Sequence, residues 1–341
     1  MKVLFIGGTG IISTACTALV AERGIELTLL RRGQRAADLP QNVRTIVADV
    51  ADETAVSQAL GKLSFDAVVD WRAYTPADVE RDIRLFRGRT RQFVFISSAS
   101  AYQKPIGHYL ITESTPLANP YWQYSRDKIA CEERLMQAYR DEGFPVTIVR
   151  PSLTYGDTQI VLAVNSWQKS YTAVDRMRRG KKIIVPGDGS SLWVITHNSD
   201  FAVGLAGLLG HEQAIGHAFH ITGEEVMTWD QFTRIAAEAA GVEAKLVHIP
   251  SDFIGACIPD EVGSLTGDKA VSVVFDNTKI KRFVPDFGAK VPFAEGIRRT
   301  IAWFDADPRR KQIDDGADAT WDKLIAAYES GLEHASRMFR S

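Results

Sequence analysis

The chain has 341 residues, of which 45% are hydrophobic and 24% charged, which excludes a disordered or fibrous protein and suits one large domain or two coupled ones. Its 40 basic side chains against 42 acidic ones leave a net charge of −2, so nucleic acid is not expected as the main partner. Its three cysteines, Cys16, Cys131 and Cys257, show neither metal spacing nor a disulfide framework, which points to a reducing compartment and a cytoplasmic location.

The stretch from Val3 to Ala21 carries no charge, and Lys2 stands before it, as in a signal peptide. Gly7, Gly8 and Gly10 interrupt it, and Thr9, Ser13, Thr14 and Thr17 add hydroxyls. It reads instead as a buried strand at 3–6, a glycine turn, and a helix at 11–23 stopped by Gly24. Strands are then predicted at 27–30, 45–48, 67–70, 93–96 and 146–149, and helices at 52–60, 77–86 and 124–142. Continuous apolar strands separated by helices imply a parallel sheet covered on both faces. The fold expected is α/β, with a doubly wound, Rossmann-type domain over residues 1–155.

Beyond Pro151 the pattern loosens. Strands are predicted at 193–196 and 218–222 with a helix at 200–209 between them, so 193–222 is expected to return to the first domain. Thr228 to Gln231 forms a capping box that starts a helix running to Gly241, and another helix is predicted at 293–304. Residues 156–192 and 223–341 are assigned to a smaller α+β substrate-binding lobe.

Gly7-Gly8-Thr9-Gly10-Ile11-Ile12-Ser13 follows a strand and opens a helix. Glycine permits the tight turn, and backbone N–H groups from Gly7 to Ile12 with the helix N-terminus can hold a pyrophosphate. Ser13 replaces the usual third glycine and is small enough for helix–strand packing. The second strand leads into Arg31, Arg32, Gly33, Gln34 and Arg35, with no carboxylate to meet a ribose 2′-hydroxyl. An arginine fork suits a 2′-phosphate, so NADP is preferred over NAD. Asp49 follows the third strand, where it either meets the adenine amino group or helps start the next helix.

Ser97-Ser98-Ala99-Ser100-Ala101-Tyr102 ends a strand on the side where open α/β sheets bind ligands. Tyr124 and Lys128, four residues apart, share a helix face. A tyrosine with its usual pKa near 10 is a poor base, and a nearby ammonium would favour the phenolate. A serine hydroxyl can hold the substrate oxygen while the proton moves. A serine of this run, Tyr124 and Lys128 are therefore candidates for catalysis, with Ser100, Tyr102 and Trp193 as candidate substrate contacts. The seven histidines form no metal pair, His197 reads as structural, and no metal is expected.

These motifs resemble the extended short-chain dehydrogenases/reductases of the NAD-dependent epimerase/dehydratase type. The resemblance rests on GGTGIIS at 7–13, FISSASAY at 95–102, YSRDK at 124–128, VRPSLTYG at 149–156, PGDGSSLWVITHNSD at 186–200 and FDNTKIKRFVP at 275–285. It implies that Ser98 is the catalytic serine, Tyr124 the acid/base, and Lys128 the lysine that also holds the nicotinamide ribose. It further implies that Ala73 and Pro151 approach the cofactor, and that two copies pair through the helix carrying Tyr124 and the helix after Ala77. Ala99 and Ser100 stand where family dehydratases carry an acidic pair, which disfavours a 4,6-dehydratase. Trp193 stands where nucleotide-sugar members tend to carry an arginine, leaving Arg176, Arg178, Arg179, Lys181 and Lys182 as alternative diphosphate ligands. The activity implied is oxidoreduction or epimerisation at a secondary alcohol or ketone of a sugar-like small molecule, with no membrane partner. The same branch is similar to the chloroplast stem-loop-binding proteins, which gives the alternative of a non-catalytic nucleotide- or RNA-binding member.

Overall fold

Val3, Leu4, Phe5 and Ile6 are each at most 1% exposed, and they alternate between two cores. Val3 and Phe5 pack with Cys16, Val20, Phe201 and Leu205, while Leu4 and Ile6 pack with Val56, Val79 and Leu135. Successive strand side chains point to opposite faces, so a strand covered on both must be apolar throughout. The computed structural model describes residues 1–33 and 38–340, so Gln34 and Arg35 of the arginine-rich loop lie outside the described residues.

The first half alternates as β1 (Lys2–Ile6), α1 (Ile11–Glu22), β2 (Glu26–Arg31), β3 (Arg44–Val47), α2 (Glu53–Leu60), β4 (Ala67–Asp70), α3 (Pro76–Phe86) and β5 (Phe93–Ile96). A short β6 (Leu110–Ile111), α4 (Gln123–Glu142) and β7 (Val146–Pro151) follow. After β8 (Leu153–Tyr155) come α5 (Thr172–Arg178), β9 (Lys182–Pro186), β10 (Leu192–His197), α6 (Asn198–Leu208), β11 (Ala218–Ile221) and β12 (Val226–Thr228). The chain ends with α7 (Trp229–Ala239), β13 (Lys245–Ile249), α8 (Ser251–Cys257), α9 (Glu261–Ser264), β14 (Val274–Phe275), α10 (Thr278–Phe283), α11 (Phe293–Asp305) and α12 (Asp315–Arg340).

The main sheet runs β11-β7-β5-β4-β1-β2-β3, with every neighbouring pair parallel. The order reverses beside β1, and such a sheet binds ligands at the crevice beyond the strand ends there. The expected return of 193–222 is split. α6 packs on α1, and β11 forms the edge of the main sheet. β10 instead joins β8 and β12 in a separate three-stranded sheet.

The remaining lobe is built on the β9–β13 pair, α5, α7, α11 and α12. Trp321, Leu324, Ile325 and Tyr328 recur at helical spacing on α12 and pack with Ile184, Val247 and Ile249. The basic run after α5 docks this helix. Arg176, whose side chain is 2% exposed, pairs with Asp318 and reaches Asp322 at 3.0 Å. Lys181 reaches Asp318 at 2.8 Å and Asp322 at 2.6 Å, and Lys182 pairs with Glu329. Arg178 meets Asp305 at 2.7 Å, and Arg179 meets Asp318 at 3.2 Å. All five cations considered for a diphosphate are therefore engaged in joining α5 and β9 to α11 and α12. On the outer face of α3 and α4, Arg134 pairs with Glu80 and with Glu142, and Arg87 also pairs with Glu142. Among the described residues no helix is long and apolar enough to cross a membrane.

Candidate active site

In the turn between β1 and α1, Gly7 has φ +98° and Gly8 φ +99°, values that side chains strongly disfavour. A Cβ on Gly8 would lie 2.8 Å from Leu29 Cδ2, and one on Gly7 would lie 3.3 Å from Arg72 Cγ. Thr17 Oγ1 donates to Gly8 O at 2.8 Å and Thr14 Oγ1 to Gly10 O at 2.7 Å, which holds the turn against the helix. Ser13 does more than fit. Its Oγ accepts the Gly10 N–H at 2.8 Å, so the helix head offers its amides from Ile11 and Ile12 onward.

Gly7, Thr9, Arg31, Arg32, Asp49 and Arg72 line one cleft beyond the ends of β1, β2 and β3. Asp49 is exposed, and the cap of α2 is Asp52, whose side chain accepts the Ala55 N–H at 2.9 Å. Asp49 Oδ1 accepts the Ala51 N–H at 3.1 Å, so it shapes the turn into α2 while it lines the cleft. At the end of β4, the buried Asp70 carboxylate accepts N–H groups from Arg72 and Ala73, turning the chain beside the cleft. This cradle fits a dinucleotide. The glycine turn leaves space that a Cβ would fill, the helix N-terminus faces it, and cations flank it.

The second cavity lies beyond β5 and contains Ser98, Ser100, Tyr102, Tyr124, Pro151 and Trp193 among its lining residues. Ser98 Oγ lies 2.9 Å from Ser100 Oγ and accepts the Ser100 N–H at 3.2 Å. Ser125 Oγ donates to Ser100 Oγ at 2.8 Å. The hydroxyls can therefore donate in one direction, Ser125 to Ser100 to Ser98, leaving the Ser98 proton for a substrate oxygen or for Tyr124. Ser100, only 4% exposed, lines the cavity and also links the Ser98 and Ser125 hydroxyls.

Tyr124 and Lys128 share one face of α4, but the lysine is not aimed at the phenol. Its Nζ donates to Ala73 O at 2.7 Å and Ile96 O at 2.8 Å, and lies 5.9 Å from the Tyr124 ring centroid. Burial brings Lys128 down to about 8, and burial pushes Tyr124 up to about 12 despite its hydrogen bond with Ser98. Desolvation, not the ammonium, dominates the phenol in this state, in contrast to the expected lowering. Ala73 is 1% exposed and meets Lys128 through its carbonyl.

The Tyr102 hydroxyl lies 3.0 Å from His220 Nδ1, and His220 Nε2 lies 2.8 Å from Asp276 O. A carbonyl only accepts, so Nε2 carries the proton and Nδ1 accepts from Tyr102. Arg150 sits over the Tyr102 ring at 4.8 Å and grips the Glu132 carboxylate through Nε at 2.9 Å. The Tyr102 hydroxyl thus belongs to a buried network behind the site, and only its ring is left for substrate. Trp193 is 2% exposed and stacks on Trp229 with centroids 5.5 Å apart, so it is core that also edges the cavity. His197 accepts the Ser199 N–H at 3.3 Å and starts α6, a structural position.

Sequence reading missed Lys104, Trp122, Asn119, Asp268 and Lys269. Asn119 Nδ2 donates to Ser100 O at 2.8 Å and to Gly267 O at 2.7 Å, joining the catalytic turn to the segment after α9. That segment, Leu265–Lys269, is a π-helical turn, a form often found at functional sites. A Cβ on Gly263 would lie 2.3 Å from Trp122 Cδ1, which is how closely this wall approaches the ring beside Tyr124. The two glycines were the only signal available.

The chain is 25% identical over 290 residues to the 2'-dehydrokanamycin reductase of Streptomyces kanamyceticus, covering 84% of this chain and 80% of the relative. It is 28% identical over 268 residues to the chloroplast stem-loop binding protein of 41 kDa b of Arabidopsis thaliana, covering 74% of this chain and 67% of the relative. Two solved structures share the fold. DesIV (dTDP-glucose 4,6-dehydratase) from Streptomyces venezuelae, with NAD and TYD bound, gives a TM-score of 0.72 at 20% identity over 91% of this chain and 98% of its own. Pal from Bacillus thuringiensis gives a TM-score of 0.73 at 18% identity over 90% of this chain and 99% of its own. The NAD dependent epimerase/dehydratase family matches residues 3–222, from β1 through β11 and across both the glycine turn and the Tyr124 helix. The chain belongs to that family and is an enzyme of the extended short-chain dehydrogenase/reductase type.

Proposed function

We propose that the enzyme oxidises a secondary alcohol or reduces a ketone on a sugar or sugar derivative, with Tyr124 exchanging the hydroxyl proton. The observation that carries this reading is the opening of Ser98 and Tyr124 onto one cavity while Lys128 is held beneath them by two carbonyls. Bound in the cleft, a nicotinamide dinucleotide supplies the hydride acceptor or donor. Gly7, Gly8, Thr9, Gly10, Ile11 and Ile12 would hold its pyrophosphate. Lys128 and the Ala73 loop would approach its ribose, and Pro151 would bound its reactive end. Ser98 donates to the substrate oxygen, and Tyr124 takes or returns the proton there. If the ketone is held and reduced from its other face, the same residues give net epimerisation.

NADP is the proposed cofactor, because Arg31 and Arg32 line the cleft where β2 ends without a carboxylate. A sugar-like substrate is supported by a relative named as a 2'-dehydrokanamycin reductase. Pairing of two copies through α3 and α4, as the family likeness implies, is tested by gel filtration.

Tyr124→Phe should lose at least about 100-fold in turnover while cofactor binding is kept. Near-normal turnover would refute the assignment. A second reading, a non-catalytic RNA-binding member, is supported by the stem-loop-binding relative. Against it stand the cations of the α5–β9 run, each engaged with an acidic partner. RNA retention by the purified protein, undiminished in Tyr124→Phe, would favour this second reading.

A further inference from the structure

Lys104 lies on the same loop as Ser98, beyond Tyr102. Its backbone N–H donates to Ala118 O at 2.7 Å, which fixes it against the strand-like return of the loop. It lines the cavity with Tyr124, is 4% exposed, and its ammonium has no hydrogen bond or ion pair among the described residues. Across the cavity the π-helical turn contributes Asp268 and Lys269. Lys269 is 3% exposed, donates to Ser264 O at 3.2 Å and lies 6.0 Å from the Trp167 ring centroid.

The Lys104 side chain is largely buried, lines the cavity and feels the Asp268 carboxylate without a direct ion pair, and a neutral hydroxyl can accept its hydrogen bond but not neutralise it. A carboxylate or phosphate oxygen does both, accepting the hydrogen bond and cancelling the charge. Among the described residues Asp268 is the only acidic one that lines the cavity, and it attracts both lysines without a direct ion pair to either. Burial raises the Asp268 carboxyl and lowers both ammoniums, and the attraction between Asp268 and the two lysines opposes these shifts.

We propose that this part of the cavity is an anion subsite centred on Lys104, so that the substrate carries a carboxylate or phosphate group besides the reacting alcohol or ketone. The proposal rests on the cavity being the substrate site of a Tyr124 enzyme.

The test is calorimetric titration of acetate and of inorganic phosphate into the full chain saturated with oxidised cofactor, so that the arginines of the cleft are covered. The parent protein should bind at least one of them, and the tighter of the two identifies the anion class. Lys104→Met should weaken that binding about 10- to 100-fold, the range of a hydrogen bond to a charged group, and Lys104→Arg should keep most of it. Binding of neither anion by the parent, or equal binding by Lys104→Met, overturns the proposal. Melting without ligand gives a second readout. Removing an unpaired ammonium should hold or raise the melting temperature, whereas a clear fall would make Lys104 structural and overturn the subsite. Tyr124→Phe separates the two readings. Lost turnover with retained anion binding supports both, and retained turnover refutes the reaction while leaving the binding result to judge the subsite.

Discussion

The cofactor cleft and the substrate cavity are built by opposite means. The cleft is made of backbone: two glycines with positive φ, the head of α1, and loops whose side chains reach in from exposed positions. The cavity is made of side chains from segments far apart in the chain, with Lys104, Tyr124, Trp193 and Asp268 converging on one space. A site made of backbone is set by local turn chemistry. A site made of converging side chains depends on how the second lobe is docked.

The largest effect should therefore come from loosening the second lobe itself, where the cations of the α5–β9 segment hold α12. Asp318→Asn removes the main partner of a buried arginine, and we expect a loss of about 3 kcal/mol in urea unfolding, the low end for a broken buried pair. Asp322 still reaches Arg176 at 3.0 Å, which limits the damage. Substrate binding should weaken while cofactor affinity holds. Equal loss of both would break the contrast between the two regions. The same pair predicts an acid limit. Burial alone would raise the Asp318 carboxyl, but hydrogen bonds from Lys181, Arg176 and Arg179 outweigh it and hold it at about 2. The folded value lies below the unfolded one, so this stabilisation is complete above about pH 4 and is lost as pH falls toward 2. A melting temperature independent of pH between 4 and 2 would contradict it.

A smaller effect belongs to the cleft. Arg31→Ala should raise the KM for NADP about 10-fold and leave that for NAD nearly unchanged, as expected for one lost charged hydrogen bond. Equal changes for both cofactors would remove the NADP preference. The smallest effect tests the hydroxyl relay. Ser125→Ala should lower kcat about 3- to 10-fold with KM unchanged, because Ser125 orients Ser98 through Ser100 and does not line the cavity. A change in KM alone would assign Ser125 to binding.

The same contrast decides what the sequence made legible. Ala67–Asp70 and Phe93–Ile96 have the bounds expected of them, because both are runs of buried apolar residues, the first closed by Asp70. The glycine turn and the Tyr124–Lys128 pair were legible because their spacing is local. The lobe was not. β9 and β13 each open on a lysine, and α12, with its clear apolar stripe, contains Gly316 and Gly331. Lys104 and Asp268 looked like any other surface charges, since only the fold brings them to one cavity. The hydroxyl partner of Tyr102 was hidden because nothing near it in sequence announces His220.

Trp122, Trp167 and Trp193, from a total of seven tryptophans, line the substrate cavity, and Trp193 stacks on a fourth, Trp229. Indole emission responds to the polarity of its surroundings, so a ligand entering this space rewrites the protein's own fluorescence. The enzyme thus carries an intrinsic optical reporter at the point where its substrate is chosen, and candidate ligands can be ranked by titration without a label, a coupled assay or turnover.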